Sequence, residues 1–93
     1  MKTTIEFYGW AKRLAKTDKA EIDLGKVAAT LRNVSIEVAK KFPELLGNIL
    51  SPETFEPIET YRYNVNGTNT AQNLDVYIKE GDKILLIPIV AGG

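Results

Sequence analysis

The chain has no cysteine and no histidine among its 93 residues. Without thiols it can form no disulfide framework, no thiolate metal site and no cysteine nucleophile. Without imidazoles it lacks a Ser-His-Asp triad, an imidazole zinc site and any side chain that titrates near neutrality unperturbed. An excess of one charge sign is also missing. Twelve Lys+Arg balance twelve Asp+Glu, which removes the electrostatic footprint of a nucleic-acid or anionic-membrane binder. The longest apolar run, from Ile84 to Ala91, spans eight residues, whereas a membrane helix needs about 20. The stretch from Met1 to Glu6 carries no signal-peptide core. A cytoplasmic, soluble protein is expected, with no nucleic-acid or membrane partner and no metal site, and its side chains offer little for catalysis.

What is present suits one small domain over residues 1–93, near the common domain size of roughly 100–150 residues. Apolar residues make up 44% of the chain, as in ordinary globular proteins. Thr4 to Tyr8 alternates with period two and stops at Gly9, and Lys19 to Leu24 alternates again. With turn residues at Thr17-Asp18-Lys19, these two runs predict an antiparallel hairpin. Val27, Leu31, Val34, Val38 and Phe42 recur at spacings of three and four, which predicts a helix near 26–42 that Pro43 stops.

Residues 44–60 carry no clean period. Leu45, Leu46, Ile49 and Leu50 suit a short helical turn against the core, and Pro52 and Pro57 mark a surface loop. Tyr61 to Val65 reads as a strand ending in an Asn66-Gly67 turn. Leu74, Val76 and Ile78 suit a short edge strand or turn, and Glu80-Gly81-Asp82 turns into a last strand from Ile84 to Val90. The sum is an α+β fold with one helix across a small sheet. Ile5, Phe7, Ile22, Leu24, Val27, Leu31, Val34, Val38, Val65, Ile84 and Leu86 form the expected core.

The last strand is apolar on both faces, with Ile84 and Leu86 on one side and Leu85, Ile87 and Ile89 on the other. One helix covers one face of a sheet. Leu85, Ile87, Ile89 and Tyr8 are therefore expected to form an exposed patch that meets a protein partner. Beyond the strand, Val90, Ala91, Gly92 and Gly93 are expected to form a flexible tail. Glycine has no Cβ, so such a tail can thread a narrow channel and present the Gly93 carboxylate inside a partner's active site. A carboxylate is a poor acyl electrophile until ATP converts it to an acyl-adenylate. Attack by sulfur then yields a thiocarboxylate. No phosphate-loop pattern is present, so ATP belongs to the activating partner. The carboxylates of Glu80-Gly81-Asp82 read as a turn opening the last strand, and Trp10, Tyr61 and Tyr63 as core or interface aromatics.

Several phrases resemble the ubiquitin-like sulfur carriers of the ThiS/MoaD type. They are Phe7-Tyr8-Gly9 followed by Leu14, the helix end Lys40-Lys41-Phe42-Pro43-Glu44-Leu45, Val65-Asn66-Gly67, and the block from Ile78 through Gly81 and Pro88 to Gly93. The match extends over essentially the whole chain, and the helix-end phrase is similar to the molybdopterin synthase small subunit. Pro88-Ile89 departs from that subunit's paired prolines, and Lys16 stands where the first loop commonly has glycine. The resemblance implies a β-grasp fold, a mixed sheet of four to five strands crossed by one main helix. It further implies a non-catalytic carrier activated at Gly93 by a ubiquitin-activating-type adenylyltransferase using ATP and Mg²⁺. A sulfur donor and a larger catalytic subunit of molybdopterin synthase type complete the implied partners. A thiamine-type carrier and a ubiquitin-like modifier joined through Gly93 are the open alternatives.

Overall fold

The computed structural model describes residues 1–25 and 28–89. Val27 of the expected core and the tail residues Val90, Ala91, Gly92 and Gly93 lie outside that range. The first strand, β1 (Lys2–Phe7), buries Thr3, Ile5 and Phe7, so the period-two pattern lies on the core as expected. It pairs antiparallel with β2 (Lys19–Asp23). The connection between them is more than a turn. Residues Trp10–Ala15 form a helix, α1, that the alternation on either side did not predict. Six residues are too few to be stable alone. α1 is held by burial of Ala11 and Ala15 and by an N–H···O bond of 3.1 Å from Ala11 to the Tyr61 hydroxyl.

The main helix, α2 (Leu31–Lys41), starts later than the expected position near residue 26, and a two-residue strand, β3 (Ala29–Thr30), precedes it. A reciprocal cap sets the boundary. The Thr30 hydroxyl accepts from the Asn33 N–H, and the Asn33 side chain accepts from the Thr30 N–H at 2.9 Å. Two further free N–H groups, those of Leu31 and Arg32, donate to the carbonyls of Val76 and Leu74 at 2.9 Å each. The 74–76 segment thus closes the helix N-terminus. Leu74 and Ile78 are buried there and Val76 is exposed, so the three do not share one face. Leu31, Val34, Ser35, Val38 and Ala39 form the buried side of α2. Phe42 caps its end and packs edge-on against Phe7, with ring centroids 5.0 Å apart.

After a 3₁₀ turn at Pro43–Leu45 the chain runs to β4 (Tyr61–Val65), β5 (Asn69–Thr70), β6 (Tyr77–Ile78) and β7 (Lys83–Pro88). The main sheet has the order β2-β1-β7-β4-β5, with β7 parallel to β1 and antiparallel to β4, and β3 pairs with β6 separately. Asn66 and Gly67 both have positive φ, as the tight turn between β4 and β5 requires. The expected core is buried at Ile5, Phe7, Ile22, Leu31, Val34, Val38, Ile84 and Leu86, while Leu24 and Val65 are partly buried against it. This mixed sheet crossed by one main helix is a β-grasp fold.

The 44–60 segment lies on the α2 side. Leu45, Ile49 and Leu50 join the core, the Ser35 hydroxyl donates to the Phe55 carbonyl at 2.6 Å, and Arg32 donates to the Thr54 carbonyl at 2.7 Å. The Tyr63 phenol lies buried 2.8 Å from the Ser35 hydroxyl, and burial raises its pKa far above the usual tyrosine range. Helix and irregular segment therefore cover the same face of the sheet. Among the described residues, no element is stacked on the other.

Candidate functional site

Strand alternation decides what the uncovered face carries. Ile84 and Leu86 of β7 are fully buried beneath α2, while Leu85, Ile87 and, past the strand, Ile89 are half-buried on the opposite side. In the register of the sheet Leu85 lies beside Glu6 of β1 and opposite Asn64 of β4, and Ile87 lies opposite Arg62. Two aliphatic side chains thus occupy the middle of a face whose borders are polar. Asn64 is only 8% exposed, and its side-chain oxygen has no hydrogen-bond partner among the described residues. A buried acceptor left unpaired is costly, on the order of 1–3 kcal/mol.

The fourth predicted patch residue, Tyr8, follows the outward-facing Glu6 of β1 at the alternating position. Tyr8 follows β1 with 42% of its surface exposed, and its N–H donates to the Leu86 carbonyl at 3.2 Å. Its hydroxyl donates to Glu6 at 2.7 Å, and Lys83 pairs with the same carboxylate at 3.5 Å. The Tyr8 hydrogen bond first, and the Lys83 charge second, hold the Glu6 carboxyl below its ordinary value, while the Glu6 bond raises the Tyr8 phenol.

The point from which the tail departs is tightly built. The Ile89 N–H donates to the Thr60 carbonyl at 2.8 Å. The Tyr61 hydroxyl donates to the Tyr8 carbonyl at 2.9 Å and accepts from the Ala11 N–H. Gly9 fits into this junction with φ of 63°, and a Cβ there would lie 2.9 Å from the Tyr61 hydroxyl and 3.4 Å from Pro88. Glycine satisfies both demands, the left-handed backbone and the close approach. The roles of Gly9 and of the Tyr61 hydroxyl escaped sequence reasoning, because they arise from residues about 50 positions apart. Trp10, placed by sequence among core or interface aromatics, is 47% exposed beside this junction. Tyr61 and Tyr63 are core residues.

Among the described residues no group of acidic side chains is arranged to hold a metal ion, and no helix is long and apolar enough to cross a membrane. Val90, Ala91, Gly92 and Gly93 fall outside the described range, so the geometry stops at Ile89.

No curated protein matches the chain. Solved structures do. SAMP1 from Haloferax volcanii superposes with a TM-score of 0.84 at 19% identity, each chain being covered over 100% of its length. A protein from Pyrococcus furiosus described as molybdopterin converting factor, subunit 1, gives 0.75 at 21% identity, covering 97% of this chain and 99% of its own. The Amycolatopsis orientalis BexX/CysO complex contains a chain that gives 0.73 at 18% identity, covering 98% of this chain and 99% of its own. These likenesses establish the fold, and the last of them shows a protein of this shape in complex with a partner. The profile of the ThiS family matches residues 5–93. With nearly its whole length matched, the chain belongs to the ThiS family, whose small ubiquitin-like members serve as carriers or modifiers.

Proposed function

We propose that this protein is a sulfur carrier, a single domain spanning 1–93 whose tail, Val90 to Gly93, is charged at its terminal carboxylate and then delivers sulfur. A carboxylate oxygen of Gly93 attacks the α-phosphorus of ATP held with Mg²⁺ by a ubiquitin-activating-type adenylyltransferase. Pyrophosphate leaves and an acyl-adenylate remains. A sulfide-equivalent nucleophile from a sulfur donor then attacks the acyl carbon, AMP departs, and a thiocarboxylate results. The carrier supplies no catalytic side chain. It acts as a co-substrate, and a larger catalytic subunit of molybdopterin synthase type takes the sulfur to a pterin precursor during molybdenum or tungsten cofactor synthesis.

The observation that carries this reading is the position of β7. It is the central strand of the sheet, it leads directly into the tail, and it bears Leu85 and Ile87 on the face that no other described element covers. A partner docked on Leu85, Ile87, Ile89 and Tyr8 lies over the strand that leads in sequence into the tail. The orphaned Asn64 acceptor beside Leu85 suits a face completed by a partner's donor. Gly92 and Gly93 keep the tail narrow.

Likeness to SAMP1 supports a second reading, conjugation through Gly93 to lysines of other proteins. Both begin with the same adenylation. Intact-protein mass spectrometry after incubation with the adenylyltransferase, ATP, Mg²⁺ and a sulfur donor should show one oxygen exchanged for sulfur. Gly93→Ala should impair that exchange and a residue appended after Gly93 should abolish it. Equal charging of the extended chain overturns both readings, whereas higher-mass conjugates lost on deletion of Gly93 favour the modifier.

A further inference from the structure

The net charge of zero hides a local imbalance. Residues 8–19 contain Lys12, Arg13, Lys16 and Lys19 against Asp18 alone, a local net charge of +3, so the remainder of the chain carries −3. Lys12, Arg13 and Lys16 all belong to α1 or its C-cap and are all exposed. Of the other cations, Lys2 pairs with Glu21, Arg32 with Glu56 and Asp75, Lys40 with Glu37 and Lys83 with Glu6, while Lys19, Lys41, Arg62 and Lys79 make no ion pair among the described residues but stand apart along the chain. Among the described residues the three α1 cations make no ion pair and no side-chain hydrogen bond. They stand beside Trp10, and aromatic and arginine side chains together are the composition of interface anchors.

The ridge is fixed relative to the end of β7. Ala11 and Ala15 are buried beneath α1, the Tyr61 hydroxyl joins Ala11 to Tyr8, and Gly9 lies against Pro88 at the end of β7. A body that engages the chain just beyond Ile89 must therefore come close to α1. We infer that the α1 ridge of Lys12, Arg13 and Lys16 is an electrostatic guide that docks on a carboxylate-rich rim around the tail-accepting channel of the activating enzyme. The inference rests on the carrier reading for the identity of the partner, but it is read out by binding and not by sulfur transfer. Charges placed at a rim act mainly on encounter: they raise association rates by roughly 10- to 1000-fold and lose their effect as salt shortens the screening length from about 30 Å at 0.01 M to about 3 Å at 1 M.

The test is association kinetics by surface plasmon resonance, with the ubiquitin-activating-type adenylyltransferase of the same cell immobilised and the full chain in solution. The wild-type association rate should fall at least about tenfold between low and high salt. The triple variant K12E/R13E/K16E should associate about 10- to 100-fold more slowly at low salt, with a flattened salt dependence and a dissociation rate within about threefold of wild type. The neutral variant K12Q/R13Q/K16Q should fall between the two. All three sites are exposed, and circular dichroism checks that both variants fold. Leu85→Ala should do the opposite, speeding dissociation at an unchanged association rate. An association rate for the reversed variant within twofold of wild type, or a wild-type rate insensitive to salt, overturns the inference. So does salt-dependent binding of polyuridylate RNA to the ridge without binding of the enzyme. If α1-dependent docking is seen but Gly93 never acquires sulfur, the carrier reading fails and the guide stands. If sulfur is acquired at an association rate indifferent to the ridge, the guide fails and the carrier reading stands.

Discussion

Leu86 and Leu85 are the same residue type in consecutive positions of β7, and the sheet separates them. Leu86 is sealed beneath α2 with Ile84, Phe7 and Tyr63, while Leu85 lies half-buried on the far side between Glu6 and Asn64. The inner face is complete, with apolar side chains closing on one another and the Tyr63 hydroxyl meeting Ser35. Among the described residues, the outer face has aliphatic groups without a covering layer and a polar atom without a partner. Identical chemistry thus supports folding on one side and is left available for docking on the other.

The sharpest way to break this contrast is to truncate the two leucines separately. Leu86→Ala should destabilise the fold by about 2–5 kcal/mol, since it opens a cavity in a closed core. Leu85→Ala should cost about 1 kcal/mol or less in stability, yet weaken partner binding by one to two decades, the worth of about 1.5–3 kcal/mol of aliphatic burial. Urea unfolding and binding measured on both variants decide it. Equal loss of stability would make the outer face core and remove the docking surface.

A smaller effect is expected at the junction beside the end of β7. Gly9→Ala places a Cβ against the Tyr61 hydroxyl at a backbone φ that favours glycine, with an expected cost of about 1–3 kcal/mol. Tyr61→Phe combined with it should be less than additive, because the two share one contact. Thermal melts of the single and double variants measure this coupling.

Asn64→Val should move in the other direction. Removing an amide whose buried oxygen lacks a partner, and replacing it with a residue that suits a strand, should stabilise the isolated chain by about 1 kcal/mol while weakening docking. A gain in stability with unchanged binding would mean that the outer face does not need Asn64.

The smallest effect belongs to Glu6. Its carboxyl is held below its ordinary value by Tyr8 and Lys83, so the folded state binds the proton less readily than the unfolded state. The stabilisation is complete above the ordinary glutamate value and disappears as the pH falls through the lowered one. Glu6→Gln should therefore cost about 0.2–0.5 kcal/mol at pH 7, as exposed pairs do, and the difference from wild type should shrink once the pH falls below the ordinary glutamate value and vanish below the lowered one. Denaturant unfolding across pH 3–7 tests the sign.

Long periodic segments were legible before any coordinates. The alternation of β1 and β7, the stripe of Leu31, Val34 and Val38, and the Tyr61–Val65 strand all fall where their periods place them, because each buries one continuous face. Short elements were not. α1 has too few residues to show a helical period, and β3 and β6 have two residues each. The late start of α2 depends on Thr30 with Asn33, a cap built from an amide where a glutamate is the usual signal. Lys16, where the resemblance leads one to expect glycine, is the left-handed C-cap of α1 with φ of 61°, a conformation that favours glycine. The uncovered face was partly legible, since Leu85, Ile87 and Ile89 follow from alternation. Its polar border and the cationic ridge beside it were not.

By itself the sequence determined which residues share a face, because a strand's period of two and a helix's of 3.6 are properties of the local backbone. It also determined that a chain without cysteine or histidine leaves thiol and imidazole chemistry to others. Only the tertiary structure decided which of the two apolar faces of β7 is covered, and that α2 and the 44–60 segment both lie on the same side. It alone brought Gly9, Tyr61 and Pro88 into one junction at the base of the tail. Those outcomes depend on contacts between residues far apart in the chain, and no local period encodes them.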